Sequence, residues 1–143
     1  MDRKIYQKLL VWKEKNSKMP YMLVGARQTG KTYILTNFCK NEFKNYLYLN
    51  LDSMPEIREI FETTIEPERI IKSIEAILSI NIDIENTIIF IDEIQVSEKA
   101  ICSLKYFCES ESNYKIVVAG SLLGVKINRF KSSFPVGKVW IDY

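Results

Sequence analysis

Residues Gly25 to Thr32 read GARQTGKT and fit the spacing G-x-x-x-x-G-K-[ST]. Four of them, Gly25, Gly30, Lys31 and Thr32, are the residue types that binding a chain of phosphates requires. The two glycines have no Cβ, so the backbone can turn sharply and bring successive N–H groups against phosphate oxygens. Lys31 supplies a point charge within reach of the β- and γ-phosphates, and the Thr32 hydroxyl can ligate a magnesium ion that accompanies them. Tyr21-Met22-Leu23-Val24, an apolar run ending at the first glycine, reads as a buried parallel strand. After Thr32, the residues Tyr33, Ile34, Leu35 and Phe38 fall at helical spacing, so the phosphates would sit at a helix N-terminus, where the dipole favours anions. Strand, glycine loop and helix in this order make the candidate phosphate-contacting set Gly25, Ala26, Arg27, Gln28, Thr29, Gly30, Lys31, Thr32 and Tyr33.

A second constellation is Ile88-Ile89-Phe90-Ile91-Asp92-Glu93, four apolar residues ending in adjacent acids, with Asp92 61 residues after Lys31. A strand buried on both faces would deliver Asp92 to the C-terminal edge of a parallel sheet, where open α/β folds bind ligands. Asp92 is the candidate magnesium residue beside Thr32. Glu93, pointing differently, could orient or deprotonate an attacking water. With no histidine in the chain, any general base must be a carboxylate. A structural alternative, an acidic loop start after a strand, accounts for an isolated Asp-Glu but not for its distance from the glycine loop.

The remaining elements follow from periodicity. Asp2 to Lys15 is amphipathic, with Ile5, Tyr6, Leu9 and Trp12 on one side. Tyr46 to Leu51 alternates strictly, Leu47, Leu49 and Leu51 against Tyr46, Tyr48 and Asn50, which suits a strand nearer a sheet edge than its centre. Pro55 to Phe61 can form a short helix. Glu66-Pro67 opens another, with a stripe of Ile70, Ile71, Ile74, Ile77 and Leu78. Ser97 is placed to cap a helix running to about Glu109. Tyr114 to Ala119 and Lys138 to Tyr143 read as further strands, separated by an extended loop. Five strands alternating with helices predict an α/β fold with a parallel sheet and right-handed crossovers.

Charge is unevenly spread. Residues 1–51 carry ten basic and three acidic side chains (+7), residues 52–111 five and fourteen (−9), and residues 112–143 five and one (+4). The basic flanks could follow a nucleic acid or an acidic partner. Solvated helix faces account for them more simply, since no aromatic-interleaved basic run accompanies them. The three cysteines, Cys39, Cys102 and Cys108, lack metal-ligand spacing, and their odd number gives no disulfide framework, so they are expected as small core residues. No apolar run approaches the ~20 residues of a membrane span, which makes a cytoplasmic protein with no membrane partner the expectation.

The strand inserted between the two motifs, together with Glu93, resembles the additional-strand, catalytic-glutamate P-loop ATPases. That resemblance implies a three-layer P-loop NTPase fold whose five-stranded parallel sheet has the order 5-1-4-3-2. An Asn-Lys-x-Asp guanine signature and an arginine-rich lid are both missing from the sequence, which favours adenine nucleotide over a GTPase or a small-molecule kinase. In AAA-superfamily ATPases a polar residue ending the fourth strand, sensor 1, stands near the γ-phosphate, and Ser121 of Ala119-Gly120-Ser121 is the matching position. GARQTGKT, LYLNLD, FIDEIQ and AGSLLG followed by FPVGKV further resemble the predicted AAA-type ATPases of bacteria and archaea that join an N-terminal ATPase domain to a C-terminal domain of unknown function. The resemblance implies ATP and Mg²⁺ as ligands, ATP hydrolysis with Glu93, Lys31 and Ser121 as catalytic residues, and residues 1–143 as one AAA-type domain of a longer protein. On this reading a lid and the C-terminal domain follow residue 143, and a homo-oligomer is compatible. Arg129 lies in the region where this superfamily presents an arginine finger, with a plain surface arginine as the default. Arg27 and Gln28 either brace the loop or meet a phosphate, and bracing is the default. The alternative function is a nucleotide-dependent switch or interaction module with negligible turnover, nucleic-acid-associated in one version.

Overall fold

The computed structural model describes residues 3–25, 30–121 and 137–142. Its elements run α1 (Arg3–Lys15), β1 (Tyr21–Gly25), α2 (Lys31–Glu42), β2 (Asn45–Asn50), α3 (Pro55–Thr63), α4 (Pro67–Leu78), β3 (Thr87–Asp92), a 3₁₀ turn (Ile94–Val96), α5 (Glu98–Glu109), β4 (Lys115–Ser121) and β5 (Trp140–Asp142). Local chemistry sets several boundaries. Pro55 and Pro67 open α3 and α4, where a missing N–H costs nothing. At α5, the Ser97 Oγ accepts the Ala100 N–H at 3.1 Å, as the sequence suggests.

All strand pairs are parallel and the order is β2-β3-β4-β1-β5. Read from the other edge this is 5-1-4-3-2, the α/β order expected of a P-loop NTPase. Side chains alternate along each central strand and feed two cores. Met22 and Val24 of β1, Ile89 and Ile91 of β3, and Ile116 and Val118 of β4 pack with α3, α4 and α5. Tyr21 and Leu23, Ile88 and Phe90, and Val117 and Ala119 face the other way, against α1 and α2. Helix, sheet and helix thus form three layers, and all six residues of β3 are buried because both of its faces are covered. Among the described residues, the strand read as half-polar, β2, is an edge strand paired only with β3.

Two expectations need correction. Of the cysteines only Cys39 is buried, whereas Cys102 and Cys108 are half-buried. The buried side of α5 is Ala100, Ile101, Ser103, Leu104 and Phe107; Cys102 stands off that stripe and Cys108 lies in the last turn. In α4 the stripe leaves the core at its end, where Leu78 packs and Ile77 is exposed. The 3₁₀ turn after β3 was not foreseen. Most of the expected extended loop after β4 lies outside the described residues.

Candidate functional site

Strands that are continuous apolar runs end together, and their C-terminal ends carry the polar residues. Gly25 pairs with Ser121 across β1 and β4, and Asn50 with Asp92 across β2 and β3. Gly30 sits at φ +83°, a left-handed conformation that favours glycine, and its carbonyl accepts the Ile34 N–H at 3.0 Å to start α2. Lys31 and Thr32 therefore occupy the first turn of that helix. Lys31 Nζ donates to the Gly25 carbonyl at 3.4 Å, which places the ammonium over the start of the loop. Tyr33, one residue on, is 60% exposed. Ala26, Arg27, Gln28, Thr29 and Arg129 lie outside the described residues.

Asp92 is the centre of the arrangement. Its carboxylate is buried at 4% exposure, and Oδ2 accepts from Thr32 Oγ1 at 2.8 Å and from the Tyr48 hydroxyl at 2.7 Å. Oδ1 accepts the Glu93 N–H at 2.9 Å. The fold thus joins the first turn of α2 to the end of β3, two segments 60 residues apart. A buried carboxylate held by neutral donors is a group that a divalent cation would complete. Magnesium usually takes one or two protein ligands beside phosphate oxygens, and an acid and a hydroxyl side by side suit that preference. Among the described residues, no group of three or more Asp, Glu, Cys or His offers an all-protein cage.

Two residues here were missed in the sequence. Tyr48 and Asn50 lie on the polar face of β2, and register brings that face to Asp92. The Asn50 amide donates to the Tyr48 hydroxyl at 3.1 Å, while its Oδ1 accepts the N–H groups of Asp52 and Ser53 at 2.9 and 3.0 Å. The alternation of Tyr46, Tyr48 and Asn50 was the available signal. Burial, reinforced by the bond to Asp92, pushes the Tyr48 hydroxyl up to about 12, so it remains a donor at neutral pH.

Glu93 adopts φ +54° and ψ +45°, a left-handed conformation uncommon for a residue with a Cβ, and this turns the chain sharply out of β3. Its Oε1 accepts from Gln95 Nε2 at 2.6 Å. The other end of the same amide, Gln95 Oε1, accepts the Ser121 N–H at 3.0 Å. Gln95 is the third residue that sequence reasoning passed over, although it stands in FIDEIQ. Glu93 and Ser121, separately singled out, are thereby joined through one side chain.

Alkaline behaviour follows from the buried Cys39 and Tyr114 and the half-buried Tyr48. Burial pushes the Cys39 thiol from its usual value near 9 to about 12, and the Tyr48 and Tyr114 hydroxyls from near 10 to about 12. Above pH 9 to 10 the unfolded chain releases these protons while the folded chain keeps them, so stability falls as pH rises towards 12. Urea midpoints should be level from pH 7 to 9 and decline beyond it, with a shallower decline in Tyr48→Phe and Tyr114→Phe. A midpoint unchanged to pH 11 would contradict the burial argument.

A family model described as AAA domain matches residues 17–141, from just before β1 into β5. The chain belongs to this AAA domain family. It is accordingly a nucleotide-binding domain of the ATPase type, on the three-layer parallel fold described above. No match is found among curated proteins. Among solved structures, the Pif1 helicase from Candida albicans is similar at 14% identity and a TM-score of 0.49, over 85% of this chain and 32% of that one. The chain therefore spans about a third of the length of that structure. Among the described residues, no helix of this AAA domain is long and apolar enough to cross a membrane.

Proposed function

We propose that this AAA domain binds ATP with Mg²⁺ and hydrolyses it to ADP and phosphate. The observation that carries the reading is the 2.8 Å bond between Thr32 and Asp92, which brings the GKT segment and the acidic pair to one edge of the sheet. Loop amides from Gly25 to Gly30, the N-terminus of α2 and Lys31 bind the phosphates and offset the charge that develops on them. Thr32 and Asp92 hold the magnesium ion, which when bound supplies charge neutralisation at the phosphate oxygens. Glu93 orients a water in line with the γ-phosphorus and takes its proton as the new P–O bond forms. The bond to the β–γ bridging oxygen breaks, and ADP leaves with that oxygen. Ser121, at the end of β4 beside Gly25, reports the γ-phosphate, and Tyr33 presents an exposed ring near the nucleotide.

Coupling to a C-terminal domain, and assembly of several copies, belong to the same proposal and rest on the family resemblance of the motifs. Phosphate release with Mg²⁺ and saturating ATP, measured on this chain and on Glu93→Gln, tests the hydrolytic part. Release that depends on Glu93 supports it. Saturable binding without release would favour the nucleotide-dependent switch.

A further inference from the structure

We infer that Gln95 is a positioning residue for hydrolysis, one that orients the Glu93 carboxylate from the end of β4. The inference rests on the reading of Glu93 as the residue that prepares water, and it adds a role that the two sequence motifs do not contain. A general base is effective when a third group fixes its orientation. Here that group is an amide used at both ends: Nε2 donates to Glu93 Oε1 at 2.6 Å, and Oε1 accepts the Ser121 N–H at 3.0 Å. The second contact is to backbone, so its position is set by the pairing of β4 with β1, where Ser121 stands opposite Gly25. The carboxylate is thus referenced to the strand that feeds the phosphate loop.

The connection is short because of local conformation. The left-handed turn at Glu93 ends β3, and the 3₁₀ turn from Ile94 to Val96 folds Gln95 back beside it. Ile94 is fully buried and anchors that turn in the core, so the amide is delivered by a fixed piece of backbone. One carboxylate oxygen of Glu93 is engaged by Gln95. The other can accept a proton from water. Movement of the β4 terminus, wherever the γ-phosphate is sensed, would be transmitted to the base through this amide.

The test is steady-state and single-turnover phosphate release by the 143-residue chain with Mg²⁺ and ATP, comparing wild type, Glu93→Gln, Gln95→Met, Gln95→Glu and the double variant Glu93→Gln/Gln95→Met. Misorienting a base typically costs one to two orders of magnitude, so Gln95→Met should lower kcat by about 10- to 100-fold with KM for ATP within about twofold. Gln95→Glu keeps an acceptor for the Ser121 N–H but replaces the donor to Glu93 with a second carboxylate beside it, so it should also lose kcat. On the Glu93→Gln background, Gln95→Met should cost less than about twofold, because a residue acting through another adds nothing once that other is removed. Losses that multiply in the double variant, or Gln95 variants that turn over at the wild-type rate beside a slowed Glu93→Gln, would overturn the inference alone. Release that Glu93→Gln leaves unchanged would overturn the role of Glu93 itself, and this inference with it.

Discussion

Lys31→Ala is expected to remove detectable ATP binding at micromolar nucleotide while leaving the fold intact. A charge-assisted hydrogen bond contributes about 1.5–3 kcal/mol, and 1.4 kcal/mol is a factor of about ten, so losing one lysine contact to phosphate costs roughly 10- to 150-fold in affinity. The dipole of α2 does not replace it, since a helix terminus contributes only about 0.3–1 kcal/mol at an exposed site. Stability should change little, because the sheet beneath is held by two apolar cores. Titration of a fluorescent ATP analogue, with thermal unfolding as the control, checks both parts. Tight binding by a folded Lys31→Ala chain would overturn the assignment of the phosphate site.

Glu93→Gln separates binding from turnover. The substitution preserves size, the left-handed backbone is as available to glutamine as to glutamate, and Asp92 keeps its bonds to Thr32 and Tyr48. ATP affinity should therefore stay within about twofold to threefold, while the chemical step loses the 10²–10⁴-fold that a positioned base typically contributes. Single-turnover release from a pre-bound complex measures that step without product release. A rate equal to wild type would remove Glu93 from the mechanism.

Much of the fold was legible because the signals were local and strong. Apolar runs at Tyr21, Ile88 and Ile116 mark strands covered on both faces, and prolines or Ser97 mark where helices begin. The same locality made the GKT segment and the Asp92-Glu93 pair readable as one site. Contacts made across the sheet were less legible. Tyr48 was correctly placed on the polar side of β2, yet its bond to Asp92 depends on β2 pairing with β3 in one register, which alternation within a strand does not specify. Gln95 was hidden differently: a three-residue 3₁₀ turn has no periodicity to detect, and its backbone follows from the left-handed Glu93. Ile77 was misplaced because a helical stripe does not say where the neighbouring elements stop covering it, and Cys102 and Cys108 because residue type alone does not say on which side of α5 they fall.

Calorimetric titration of ATP into the wild-type chain, with Mg²⁺ and then with the metal chelated, tests the central claim most directly. The account predicts saturable binding of one ATP per chain, stronger with Mg²⁺ than without it, because Thr32 and Asp92 are then joined to the phosphates through the metal. The absence of saturable ATP binding by the folded chain, or equal affinity with and without Mg²⁺, would contradict it.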